Sequence, residues 1–390
     1  EAGVIPLSYN IRSIFRRRFS AVATAAGLGL VVFVFAAVLM LAAGVEETLK
    51  ASGSPRNAIL LRKGSTVELT SLLPREAAKM FSADPAVAVE GGKAIASPEL
   101  FVVFQLQRAD GNGTANVGFR GVTPDGLRLL RSETVHVVDG RLPQPATSEV
   151  MIGQAVRGRY KGAATGQSIR IARRDWQVVG VFEAGGSGFE SEIWTDADQL
   201  IDAARRPGFS QLTVRLRSPS DLSSLRATVD ADPRFNLQAK REDRYYEDAS
   251  GQLAGFVRTL GKLIAFFFAF GATLGAMITM YAQVASRVRE VGTLRALGFR
   301  RRAVLGSFLV ESLILAVVGA AAGCLLASLL GAVSFSTVNF SSFTEIKFRF
   351  HFAPAVAFWS TVFAVAMGIL GGALPATRAA RLAIAEATKG

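Results

Sequence analysis

Residues 20–44 contain no charged side chain, a run of 25 with VVFVFAAVLML near its centre. A helix of that length, rising about 1.5 Å per residue, can cross the roughly 30 Å of a bilayer's hydrocarbon core. Three further apolar runs of membrane length lie at 263–285, 303–337 and 353–374. A cleavable signal peptide has an apolar core of only about 7–15 residues, so the first run reads as an uncleaved span. The expected fold class is an α-helical membrane protein with four transmembrane helices, at 20–45, 263–285, 303–337 and 353–374. Half of the residues are hydrophobic and the mean hydropathy is +0.33, high for a soluble protein.

Residues 46–262, between the first and second spans, are long enough to bury a core of their own. Short runs rich in Val, Ile and Phe predict strands at 58–62, 101–107, 116–121, 169–171, 177–182 and 211–217. Helices are predicted at 74–81, at 196–205 with Thr195 as N-cap, and at 221–230 after Ser220. The expectation is a large α+β extracytoplasmic domain of two lobes. Segments 55–110 and 208–245 would form one, and about 112–207 an insertion, with 250–262 a stalk leading back to the bilayer. His136, beside Val135 and Val137 in an apparent strand, reads as a structural or surface histidine.

The formal net charge of +13 invites a nucleic-acid reading, but its distribution excludes one. The short pieces 1–19, 286–302 and 375–390 hold thirteen Lys and Arg against Glu1, Glu290 and Glu386. Short loops rich in Lys and Arg stay on the cytoplasmic side. Both termini and 286–302 are therefore expected inside, and the large domain and the short loop 338–352 outside. Residues 5–18 read as an interfacial helix, with Leu7, Ile11, Ile14 and Phe15 toward lipid and Arg12, Arg16, Arg17 and Arg18 toward headgroups.

The most informative of these pieces is 286–302, SRVREVGTLRALGFRRR. Val288, Val291, Leu294 and Leu297 recur at spacings of three, Arg287, Glu290 and Arg295 accompany them, and Gly298 follows where a helix C-cap would stand. This is a small amphipathic helix under the membrane, offered either to anionic lipid or to a cytosolic partner. Burying each apolar side chain in a partner would contribute at most about 1.5–3 kcal/mol. Within the spans, Gly271/Gly275, Gly319/Gly323 and Gly368/Gly372 make three GxxxG pairs suited to close helix packing. Glu311 is the acidic residue of the third span. It reads either as a proton or substrate site, or as the structural partner of a nearby arginine.

Chemical motifs are lacking. No GxxxxGK[ST] occurs, the nearest match running from Gly255 to Leu263 with Leu after Lys262. The single cysteine, Cys324, allows no internal disulfide, and His136 and His351 lie too far apart in sequence to suggest a metal site. No catalytic, cofactor-binding or metal-binding residues are expected.

The segment Arg289-Glu290-Val291-Gly292-Thr293-Leu294-Arg295-Ala296-Leu297-Gly298 closely resembles the REIGxxRALG segment of MacB/FtsX-type ABC-transporter permeases. GVTPDG (121–126), GQSIRI (166–171) and WQVVGVF (176–182) resemble that family's periplasmic core domain. The end of the chain, from Pro375 to Ala387, resembles the family's C-terminus, with Ile384 where proline is usual. The resemblance implies that 286–302 is a coupling helix docking on an ABC ATPase through Arg287, Arg289, Glu290, Val291, Leu294, Arg295, Leu297 and Gly298. It implies a non-catalytic permease homodimer in the bacterial inner membrane, with two ATPase subunits that bind the ATP and Mg, and in some cases a periplasmic adaptor. ATP-driven closure would then move the periplasmic domain and its cargo by mechanotransmission, and Leu294→Asp would abolish ATPase binding. Two other readings stay open: an FtsX-like signalling protein that activates a periplasmic partner, and a membrane-anchored enzyme with its site in 46–262.

Overall fold

The computed structural model describes residues 5–338 and 344–381. It divides into a helical unit, Glu1–Ala43, Gly255–Val333 and Phe350–Gly390, and a sheet unit, Gly44–Ala254 and Ser334–Arg349. Each unit has its own packing logic.

In the helical unit, α1 (Leu7–Arg16) precedes α2 (Arg18–Lys50). The long α6 (Glu242–Ser286) comes later in the chain, then α7 (Val288–Ala296), α8 (Arg301–Leu329) and α9 (Pro354–Arg381). Four helical stretches are long and apolar enough to cross a membrane: Arg18–Lys50, Gly255–Ser286, Arg301–Ala332 and Pro354–Arg381. Small residues set their spacing. A Cβ added at Gly319 would stand 2.8 Å from the Ala25 carbonyl oxygen, and one at Gly323 2.5 Å from that of Gly29. The α2 and α8 backbones therefore touch where glycine alone fits. On the other side of α8, Gly368 and Gly372 of α9 face Ala316 and Ser312, and Ser312 Oγ donates to the Gly368 carbonyl at 2.6 Å. Leu28, Val31, Val32, Ala316, Ala320, Ala364 and Met367 fill the space between these helices.

The remaining glycine pair behaves differently from expectation. Nothing among the described residues lies within 4 Å of a Cβ at Gly271 or Gly275. The contact of α6 with α9 is made instead at Ala276 and Thr273 against Gly371. Gly271 and Gly275 share an exposed face with Phe267, Phe270, Leu274 and Ile278, so they pack no other helix among the described residues.

Span boundaries shift for physical reasons. The stalk and second span form one helix beginning at Glu242. The third helix ends at Leu329 with one more turn to Ala332, and the chain then becomes β13 (Ser334–Val338), where Ser334, Ser336 and Thr337 interrupt the apolar run and Phe335, Thr337 and Val338 favour a strand. Its partner β14 (Glu345–Arg349) lies in the expected 338–352 loop. The last helix runs through Pro375 to Arg381, beyond the expected 374. Ile384 and Glu386 lie outside the described residues.

The sheet unit is built on one ten-stranded mixed sheet. Its strands are β1 (Asn57–Arg62), β4 (Ala96–Gln107), β5 (Thr114–Val122), β6 (His136–Gly140), β7 (Glu149–Gly153), β8 (Ser168–Ile171), β9 (Arg174–Glu183), β10 (Glu192–Asp196), β11 (Gln211–Arg215) and β12 (Leu237–Arg241). The short strands β2 (Val89–Glu90) and β3 (Lys93–Ala94) form a separate hairpin. The sheet order is β12-β1-β11-β4-β5-β10-β7-β9-β6, with β8 on β9. The six strands read from sequence are present, β6 takes up the apparent strand at His136, and β7, β10 and β12 are additional. The expected lobes are not separate. β4 and β5 pair from Glu99↔Val122 to Gln107↔Thr114, and β5 continues in parallel into β10, so 112–207 shares one sheet with the flanking segments. A single core joins Leu60, Phe81 and Leu100 to Trp176 and Ile193.

The helices α3 (Arg75–Ser82), α4 (Ala197–Ala204) and α5 (Leu222–Ala231) fall where the sequence places them, to within a few residues. The α4 N-cap is Asp196, whose carboxylate accepts from the Asp198 and Gln199 N–H groups, because Thr195 is still in β10 and donates to the Glu149 carbonyl at 2.8 Å. A capping box at Ser218 and Asp221 opens the turn before α5.

Beneath this sheet lies an ion network. Arg120 reaches Glu68 at 2.8 Å, Glu99 at 3.0 Å and Glu192 at 2.7 Å, its guanidinium held between the Phe101 and Phe189 rings. Arg131 reaches Glu99 at 2.9 Å and Glu242, the first residue of α6, at 2.7 Å. Burial opposes ionisation of Glu99, but Arg131 and Arg120 outweigh it and hold its carboxyl below the ordinary range. Burial wins at Glu68 and pushes it up.

Two outcomes are expected. Gly323→Leu should destabilise the purified protein in detergent by at least about 1–3 kcal/mol, while Gly271→Leu leaves its thermal unfolding unchanged. Arg131→Met, which takes the paired arginine from buried Glu242 and one of two from buried Glu99, should cost about 3–5 kcal/mol in the same measurement.

Candidate functional site

The segment after α6 folds as a single short helix seated on its neighbours. Arg287 is its N-cap and Leu297 its C-cap. Gly298 follows with φ +94°, a left-handed conformation that glycine adopts without strain. The Gly298 N–H reaches the Arg295 carbonyl at 3.2 Å, and the Phe299 N–H reaches that of Leu294 at 3.1 Å. This paired reversal ends α7 and aims the chain into α8 at once.

One side of α7 is buried. Val291, 1 % exposed, packs against Met280, Val284, Val304, Phe308, Ala376 and Ala379. Gly292 is buried beside it, and Val288, Leu294 and Arg295 are half-buried. Arg289, Glu290, Thr293, Ala296, Leu297 and Gly298 are exposed, Leu297 at 72 %. The apolar stripe read from sequence is therefore divided. Its middle holds the helix to the bundle, and its end at Leu297 projects away from it.

Arg287 corrects the sequence reading most sharply. It was expected on the charged outer face, yet it is 5 % exposed. Its Nη1 donates to Glu311 Oε2 at 2.8 Å, its Nε to Glu290 Oε2 at 2.8 Å and its Nη2 to the Tyr9 hydroxyl at 3.3 Å. Its guanidinium also lies 5.7 Å from the centre of the Tyr9 ring and 5.2 Å from that of Phe308. Tyr9 in turn donates to Glu290 Oε1. One cation thus joins α1, α7 and α8. Of the two readings of Glu311, the structure makes it the partner of this arginine.

Around it, Ser307 donates to Asn10 Oδ1 at 2.5 Å, and Arg17 donates to Ser286 Oγ at 2.5 Å. Burial opposes the charge on Arg287, but its hydrogen bond to Glu290 and the nearby Glu311 keep it protonated well above the ordinary arginine value. Burial also opposes ionisation of Glu290, but Arg287 and Tyr9 outweigh it and lower its carboxyl. On α1, Ile11 and Phe15 are exposed on the face expected to meet lipid. Tyr9, Asn10 and Ser307 were missed by the sequence reading. They lie far from Glu290 and Arg287 along the chain, and no local pattern marks them.

Among the described residues, no group of three His, Cys, Asp or Glu is placed to hold a metal ion. His136 is exposed on the outer strand β6. A cavity of about 70 Å³ lies in the sheet unit, lined in part by Leu49, Glu68, Phe101, Arg120, Tyr246 and Thr344.

Comparison with known proteins assigns both halves of the chain. Residues 21–232 match the MacB-like periplasmic core domain and residues 262–384 the FtsX-like permease C-terminal domain. The macrolide export ATP-binding/permease protein MacB of Nitrobacter winogradskyi is 32 % identical over 254 residues, covering 61 % of this chain and 38 % of that protein. The pyoverdine export ATP-binding/permease protein PvdT of Pseudomonas savastanoi pv. phaseolicola is 30 % identical over 261 residues, covering 61 % and 37 %. The chain thus spans less than two fifths of the length of these relatives. The extracellular domain of the noncanonic ABC-type transporter YknZ from Gram-positive bacteria overlaps 47 % of this chain and 99 % of its own, at 12 % identity and a TM-score of 0.37, too loosely to carry an argument.

Glu311→Ala should leave the buried Arg287 short of a counter-charge and destabilise the protein in detergent by about 3–5 kcal/mol. The double variant Arg287→Met/Glu311→Leu should recover most of that loss, as thermal unfolding of the three proteins would register.

Proposed function

The chain belongs to the MacB/FtsX-type ABC-transporter permease family, and from that premise we propose that it is the membrane subunit through which a separate ATPase subunit does mechanical work. The observation that carries this reading is α7. Val291 and Arg287, the latter paired with Glu290, fix the helix to the bundle, while Arg289, Thr293, Ala296 and Leu297 project from it. A helix so held can accept a push without yielding.

The sequence carries no P-loop pattern, so ATP and Mg²⁺ are assigned to the ATPase, with two permeases as a homodimer meeting two ATPase subunits. The arginine-rich pieces put both termini and α7 in the cytosol. The sheet unit then follows the first span into the periplasm of the inner membrane, where an adaptor can meet it. Closure of the ATPases pushes α7, and α8 and α9, packed through Gly368 and Gly372, carry the movement outward. The cargo is periplasmic or in the outer leaflet. Relatives are named for macrolide export and for pyoverdine export.

Leu297→Asp is the cleanest test, because Leu297 is exposed and the seat at Val291 is left intact. Losing about 1.5–3 kcal/mol of burial should weaken co-purification of the ATPase roughly tenfold or more, with thermal unfolding of the permease unchanged. Leu294→Asp disturbs both seat and docking face and should cost stability as well. Full retention of the ATPase by Leu297→Asp would defeat the proposal.

A further inference from the structure

Within the sheet unit, the β13–β14 hairpin is fastened by a carboxylate that α7 and its seat do not explain. Glu345 opens β14 and is 8 % exposed. Arg108 Nη2 donates to its Oε2 at 2.8 Å, Arg159 Nη2 to its Oε1 at 2.5 Å, and the Tyr160 hydroxyl to its Oε2 at 3.1 Å. The receptor for it is built by backbone. Arg108, just past β4, forms an antiparallel bridge with Tyr160. The Ala109 N–H reaches the Arg159 carbonyl at 2.9 Å, and the Lys161 N–H reaches that of Gln107 at 2.9 Å. Two guanidiniums and a phenol are thereby held around one carboxylate, the geometry of strong charge-assisted hydrogen bonds. Beside it, Arg159 Nη2 also donates to Ser336 Oγ at 2.9 Å, and the Lys347 N–H donates to Ser191 Oγ at 3.1 Å. Phe348 is buried on the same strand.

We propose that Glu345 is a positioning residue, a clasp that passes movement of α8 and α9 to the sheet through the β13–β14 hairpin. The inference rests on the coupling role of α7 and extends it. Its physical basis is chain length. Only Val333 separates the turn after α8 from β13, and only residues 350–353 separate β14 from α9. An extended chain spans at most about 3.6 Å per residue, so these links absorb little. When the end of α8 moves, the hairpin must follow, and the sheet with it, or Glu345 must leave its receptor. Thr344, next to the clasp, shares the 70 Å³ cavity with Leu49 of α2 and Tyr246 of α6. The hairpin thus meets the other two chain connections at one place inside the sheet unit.

Two measurements on the full-length permease test this. Hydrogen exchange of the free protein should show amides of 344–349 exchanging at least tenfold faster in Glu345→Gln than in the unaltered protein, and unchanged exchange would overturn the clasp. In the complex with its ATPase, spin labels on exposed positions of the sheet unit should report a nucleotide-driven distance change that falls by half or more in Glu345→Gln, with ATPase association and basal hydrolysis retained. A short bis-maleimide cross-link between Arg159→Cys and Ser336→Cys, positions joined in the unaltered protein through the length of the arginine side chain, in a Cys324→Ser background that also carries Glu345→Gln, should restore the change. This rescue is one that misfolding could not give. An undiminished change in Glu345→Gln overturns the transmission role. Failure of the unaltered chain to hold the ATPase overturns the coupling reading, and with it this extension, while the exchange measurement still decides the clasp.

Discussion

A guanidinium withdrawn from water costs several kcal/mol unless its charge and its donors are met. At Arg287 they are met by residues from three helices: Glu311 on α8, Glu290 on α7 and Tyr9 on α1. This arrangement makes the seat of α7 specific. A purely apolar contact such as that around Val291 tolerates sliding, whereas a forked donor facing two fixed carboxylates has one satisfactory position. The exposed end of α7, including Leu297, owes its orientation to this cation.

The same economy of contact runs through the helical unit. Lipid tails are as apolar as leucine side chains, so helices there associate by fit and not by flight from water. Gly29, Gly319 and Gly323 let α2 and α8 meet backbone to backbone, and Gly368 and Gly372 let α9 meet α8. In the sheet unit the cohesive device is different: a broad apolar core, with Arg120 and Arg131 shared among Glu68, Glu99, Glu192 and Glu242 beneath it. Arg131 ties the start of α6 to β4 through Glu242 and Glu99.

Features governed by local chemistry were readable from the chain alone. Apolar length marked the four long helices, short runs rich in Val, Ile and Phe marked strands such as β4, β5 and β9, and Gly298 marked the end of α7. Features governed by distant contacts were not. Whether a GxxxG pair packs depends on what faces it, so Gly319 and Gly323 met α2 while Gly271 and Gly275 met nothing among the described residues. Arg287 has the same local signature as an exposed arginine, and its burial was set by Glu311, 24 residues away, and Tyr9, 278 residues away. The single sheet escaped notice because the parallel pairing of β5 with β10 leaves no turn signal between them. β13 was hidden in a stretch that reads as the end of the third span, and β14 in the polar loop expected after it.

The tight reversal at Gly298 has a mechanical consequence. Only Leu297, Gly298, Phe299 and Arg300 separate α7 from α8, and two nested backbone hydrogen bonds lock the bend. A loop with slack would dissipate a displacement of α7 as local flexing. This elbow has none, so a sideways load on the short helix arrives at the long one as torque about its axis.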